Sequence, residues 1–189
     1  RSDTKDSELA VAASLGTAIA KLAMFCTLKP YVPLADDIPT LRREILASTG
    51  ASHVNFDGLL NLCWDHGVPV LYLKELPRAT KRITGMALSI SGRPAIVLGF
   101  ASPQHSRQLF VLAHELGHIL RGHLGEDGVL IDEDIAEIAD TLIDMKTQRK
   151  DTEEREADTF ALALIRNEYL NPLAAMGRLN SPTALAARA

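Results

Sequence analysis

His114-Glu115-Leu116-Gly117-His118 is the segment whose residue types and spacing could do chemistry. Residues four apart on a helix share one face and are separated by about 6 Å along its axis. Two imidazoles so placed can hold one metal ion. Glu115, one residue after the first imidazole, can reach a water on that ion without binding the ion itself. This is the helical HExxH arrangement, in which zinc and a glutamate base together hydrolyse peptides. The flanks support a site over two incidental surface histidines. Phe110, Val111, Leu112, Ala113, Leu116, Ile119 and Leu120 surround the motif, so the helix is expected to be mostly buried. A buried His-Glu-His cluster with no partner is costly, and a metal ion satisfies it.

A catalytic zinc takes three protein ligands and leaves a fourth position for water. The extended form HExxHxxGxxH would supply the third from a histidine, but Arg121 and Leu124 stand where its glycine and histidine belong. His123 is one residue out of register and reads as a surface or helix-end histidine. The remaining source is a carboxylate on a second helix, over residues 151–166. There Glu154, Asp158, Ala161 and Ile165 fall on one stripe, with Ala157 and Leu164 beside it. Docked on the core, that stripe points two carboxylates inward, and Ala157 and Ala161 permit a close approach to the metal helix. Glu154 is the expected third ligand, with Glu153 and Glu156 as rivals at the edge and on the opposite face. Asp158, one turn on, can accept a hydrogen bond from a ligand imidazole and fix its orientation. Acidic residues also suit a helix N-terminus, but that does not explain a carboxylate at Asp158.

The elements that must position these groups follow from periodicity. A 3.6-residue repeat predicts helices over 7–28, from Pro39 to Gly50, and from Asn55 to His66. Short apolar, β-branched runs predict strands at 68–73, 85–90 and 94–99, the last two forming a hairpin around Ser91-Gly92. Pro94 at a strand start predicts an edge position for the third of these, where an extended peptide could add as a further strand. Helical periodicity returns from Ser102-Pro103, a capping pair, through the motif to Leu120. A polar loop is expected over 121–132, helices over 133–146 and 151–166, and an Ala-rich tail from Asn171. Helices, a small sheet, then helices make an α+β domain and not a parallel α/β one. The expected divisions are a 1–50 N-terminal helical region, a 51–170 domain carrying the site, and the 171–189 tail.

The composition narrows the function class. In 189 residues there are 20 Lys+Arg against 24 Asp+Glu, a net charge of -4, so no basic footprint for nucleic acid is visible. Aromatics at 5% leave no base-stacking platform. Cys26 and Cys63 are far apart, which excludes a disulfide framework or a cysteine zinc site and fits thiols in a reducing compartment. The apolar run from Leu9 to Ala20 is too short for a bilayer. The opening Arg-Ser-Asp-Thr-Lys-Asp-Ser carries no secretory signal pattern and no methionine, which leaves room for a domain ahead of it. A cytoplasmic protein that contacts neither membrane nor nucleic acid through this chain is expected.

Two separated segments carry a resemblance. Val111-Leu112-Ala113-His114-Glu115-Leu116-Gly117-His118-Ile119-Leu120 and Glu154-Arg155-Glu156-Ala157-Asp158-Thr159-Phe160-Ala161 resemble the ImmA/IrrE family of bacterial and phage zinc metallopeptidases. The lead-in, a Gly-Val-Pro-Val strand, Ile83-Thr84-Gly85 and Arg107-Gln108-Leu109-Phe110, is similar too. The resemblance spans roughly residues 55–166. It implies a minimal zincin-like fold, with a small antiparallel or mixed sheet packed on helices. It implies Zn2+ held at His114, His118 and Glu154, with Glu115 as general base. It also implies a protein substrate, a DNA-binding repressor of the helix-turn-helix type, cut at one site to release phage, mobile-element or stress-response genes. Asp158 departs from the asparagine common at its position, and the stretch between the two segments is long. The competing expectation is a metal-stabilised binding module, antitoxin-like, that sequesters a partner without cutting it.

Overall fold

The computed structural model describes residues 2–27, 29–73, 83–99, 105–133 and 145–166. Among these residues, five helices and four strands follow in the order α1 (Ser2–Cys26), α2 (Ile38–Thr49), α3 (Phe56–Asp65), β1 (Val70–Tyr72), β2 (Ile83–Ile90), β3 (Arg93–Leu98), α4 (His105–Leu120), β4 (Gly128–Glu133) and α5 (Met145–Ile165). The helix ends have local causes. Asp37 and Asn55 cap α2 and α3 by accepting from the backbone N–H groups of Thr40 and Gly58. Gly50 closes α2 in the left-handed conformation.

The sheet is mixed, in the order β1-β3-β2-β4. β1 runs parallel to β3, while β2 is antiparallel to both β3 and β4. Ser91 and Gly92 both take positive φ, 51° and 75°, which matches the right-handed twist of the strands that their two-residue turn joins. The fold is therefore α+β, and α1 covers one sheet face while the other helices cover the opposite one. On the α1 side Ala12, Ala20, Met86, Leu88, Ala95 and Val97 form one core. On the other, Leu41, Ile45, Leu59, Ile96, Leu112, Leu116, Phe160 and Leu164 knit α2 to α5 onto β3. The residues of α2 thus pack in the same core as the site helices.

Two expectations are corrected. β3 is not an edge strand; it lies between β1 and β2. Pro94 is tolerated because β1 pairs only from Ile96 onward, where the Ile96 N–H donates to the Pro69 carbonyl. Pro94 is opposite Ser89, one step from the hairpin turn, so its nitrogen faces away from β2, toward a region where no partner strand has begun. A peptide cannot add at β3, and among the described residues the sheet edges are β1 and β4.

The second correction concerns the supposed polar loop over 121–132. It ends in β4, paired with β2 along Met86↔Ile131, Ala87↔Leu130 and Leu88↔Val129. Glu133 closes that strand and does not open a helix. The rest of the expected 133–146 helix lies outside the described residues up to Met145, where α5 begins. The Ser102 cap and the tail from 171 also lie outside them. Among the described residues, no helix is long and apolar enough to cross a membrane.

Candidate metal centre

α4 delivers the motif from inside the body. Residues 112–118 are all buried, with His118 at 0% exposure and Glu115 at 1%. α5 crosses it closely at Gly117, where an added Cβ would come within 3.1 Å of the Ala157 Cα. The small residue at 157 therefore does what its size predicts. The buried face of α5 is Ala157, Phe160, Ala161 and Leu164, slightly rotated from the expected stripe. Glu154 and Asp158 flank that face instead of lying within it, with side chains 30% and 53% exposed.

That flank is where α4 presents its imidazoles. His114 Nδ1 lies 2.9 Å from Asp158 Oδ1. His118 Nδ1 lies 2.9 Å from His123 Nδ1, and His123 Nε2 lies 3.0 Å from Glu156 Oε2. One assignment of protons satisfies the three outer contacts: both Nδ1–H groups donate outward, and His123 passes its own Nε2–H to Glu156. Both Nε2 lone pairs then point inward, only 3.0 Å apart. Glu154 Oε2 joins them at 3.4 Å from His114 Nε2 and 3.7 Å from His118 Nε2. Asp132 Oδ2 stands 2.8 Å from His114 Nε2. One ligand atom from each of His114, His118, Asp132 and Glu154 lies within 4.8 Å of the other three. Acceptors converging this closely, each imidazole held from behind, fit a divalent cation bound by nitrogen and oxygen.

Without a cation, the inward face of His114 favours a proton instead. Burial alone would depress His114, but hydrogen bonds to Asp132 and Glu154 outweigh it and push the imidazole up to about 11. Burial would raise Glu154, yet its bonds to His114 and His118 hold it well below the usual carboxylate range. The site is thus built to hold positive charge between carboxylates.

Glu115 behaves differently. Burial, then the nearby Asp132 charge, raise its carboxyl well above the ordinary value. Its Oε1 is buried with no hydrogen-bond partner among the described residues. Gly85 on β2 makes room for it, since a Cβ there would collide with that oxygen. Across the β2–β4 ladder, Gly85 is opposite Asp132. The register therefore sets Asp132 beside Glu115 on the sheet face that α4 covers.

All five residues expected from the sequence, His114, Glu115, His118, Glu154 and Asp158, meet here. Three others were not expected. Asp132 was assigned to a loop, although Val129-Leu130-Ile131 before it is a strand signal. His123 was read as a surface histidine, but its side chain is only 6% exposed. Gly85 carries no signal in its type alone.

The profile of the peptidase M78 family, the IrrE N-terminal-like domain, matches residues 63–175, more than half of the chain. The chain belongs to the IrrE N-terminal-like family. The match takes in α4, β4 and α5 together, and so every residue of this centre. No curated protein and no solved structure matches the chain. Membership places this IrrE-like domain among metallopeptidase-type proteins, consistent with its cluster of potential metal donors.

The Asp158 contact carries a test of its own. Asp158→Ala should weaken zinc affinity about 10–100-fold, through loss of the bond that orients His114. Titration of metal-stripped protein with zinc reads this directly, and an unchanged dissociation constant would show that Asp158 does not orient the ligand.

Proposed function

We propose that this chain is a zinc-dependent endopeptidase, with zinc held by His114, His118 and Glu154 and with Glu115 as general base. The observation that carries the reading is Glu115 Oε1, a buried carboxylate oxygen left without a partner among the described residues, beside the convergent imidazoles. A purely structural metal site gains nothing from such a group and bears the cost of its burial. A bound zinc ion would supply a polarised carbonyl and a more acidic water. Glu115 takes the proton of the attacking water and returns it to the leaving amine. A carboxyl raised by burial holds a proton more readily than an ordinary glutamate, which suits it to keep the water's proton until the amine leaves. Asp158 and His123 hold the two imidazoles in one tautomer while Glu115 does so.

The substrate proposed is a DNA-binding repressor with a helix-turn-helix, cut once in the cytoplasm. The support is the family resemblance carried by the two segments around His114 and Glu154. A test is incubation of the zinc-loaded protein with a helix-turn-helix repressor encoded beside it, followed by mass spectrometry. One cut in the repressor and little hydrolysis of unfolded casein are expected. Efficient casein degradation, or an intact repressor while zinc is bound, would count against the proposal.

One observation favours the second reading, a metal-stabilised binding module that sequesters its partner. Four protein donors converge instead of three, and four donors are the habit of structural zinc. The two readings part at Glu115, whose replacement should be silent in a binding module.

A further inference from the structure

We infer that Asp132 is a fourth protein donor to the metal and closes the centre at rest, so that the enzyme is latent until β4 moves. The latency rests on the peptidase reading; the donor assignment does not. Asp132 Oδ2 is 2.8 Å from His114 Nε2, nearer than Glu154 Oε2 at 3.4 Å. It is therefore inside the donor cluster and not behind it. Its register opposite Gly85 puts it on the side of the cluster where Glu115 lies. That is the side on which Glu115 needs a water, and a carboxylate there takes the water's place. Asp158, by contrast, reaches only the outward Nδ1 of His114 and leaves the centre open.

The strand that carries Asp132 is the one best able to withdraw it. Among the described residues β4 pairs only with β2, at the sheet edge, and its register shifts between Ile83 and Gly85, next to Asp132. An edge strand with an irregularity at its end separates at lower cost than an internal one. The other donors sit on α4 and α5, which are locked together at Gly117 and Ala157. A protein partner that engages β4 could thus open the fourth position without disturbing His114, His118 or Glu154. This would make hydrolysis conditional on docking.

Cobalt(II) reports the donor set without any need for cleavage. The protein is stripped, reloaded with cobalt(II) and titrated with azide, for wild type, Asp132→Asn, Asp132→Ala and Glu154→Gln. Wild type should show a visible spectrum that azide leaves unchanged. Both Asp132 variants should show an altered spectrum that azide shifts further, and zinc affinity at least about tenfold weaker. Glu154→Gln should also weaken zinc, because it too removes a donor. Identical spectra and equal azide binding in wild type and the Asp132 variants would overturn the assignment. So would a Glu154→Gln protein with unchanged metal affinity, since Asp132 would then be the third donor of an open site. Should the cobalt results hold while no variant cleaves any repressor, the peptidase reading fails and the four-donor site stands.

Discussion

Glu115→Gln should abolish cleavage while leaving the metal, the fold and the stability in place. The amide matches the carboxylate in shape, so it fits the space that Gly85 leaves. It cannot accept the proton of an attacking water, and general-base catalysis is worth about 10²–10⁴-fold. The metal should remain, because Glu115 is not among the four convergent donors. Stability should not fall, because the variant removes a buried ionisable group whose Oε1 has no partner among the described residues. The sign can be worked out for metal-stripped protein. Burial raises the folded-state carboxyl above its unfolded value. Its contribution to stability is then complete below the ordinary glutamate range and is lost as pH rises through the raised value. Glutamine has no such dependence, so the variant should match wild type in acid and gain on it as pH increases. Cleavage assay, metal content and thermal midpoint on one preparation separate these effects. A variant that cuts at the wild-type rate would remove Glu115 from the mechanism.

The motif helix was legible because two signals coincide in it: an i, i+4 histidine pair and apolar neighbours on every side. Helix α5 was legible from the small and acidic residues that must face α4. Its buried stripe came out rotated because Phe160 was not counted in it. Fully buried between α4 and the rest of the core, Phe160 sets which side of α5 turns inward, and Glu154 and Asp158 take the flank. The bounds of α2 and α3 were readable almost to the residue, since Pro39, Gly50 and Asn55 act locally.

What could not be read depends on pairing across the chain. Pro94 signals an edge only if the neighbouring strand runs alongside it, and β1 begins just beyond. Val129-Leu130-Ile131 is a strand only because β2 offers its free side; flanked by Gly125, Glu126, Asp127 and Gly128, it looks like part of a turn. With β4 missed, Asp132 was missed, and the centre appeared open. His123 was set aside because its spacing fits no ligand pattern. Its place is behind His118 instead, reached by the chain turning back after Leu120, where the His123 N–H donates to the His118 carbonyl.

The metal centre itself is the central claim, and His118 is where it is most exposed to test. His118 is completely buried, its Nε2 faces His114 and Glu154, and its Nδ1 is held by His123. Alanine at 118 removes a donor from the middle of the cluster and leaves the bonds of Glu154 and His123 unmade. The neighbouring imidazole, His123, lies behind His118 and is held by Glu156, so it does not replace the lost donor and the loss should be large. Elemental analysis of purified wild type and His118→Ala, with folding of both checked by circular dichroism, is the measurement. About one zinc per chain in wild type and almost none in a folded His118→Ala protein is the result expected of a site with so few ligands. Equal zinc in the two proteins would contradict it.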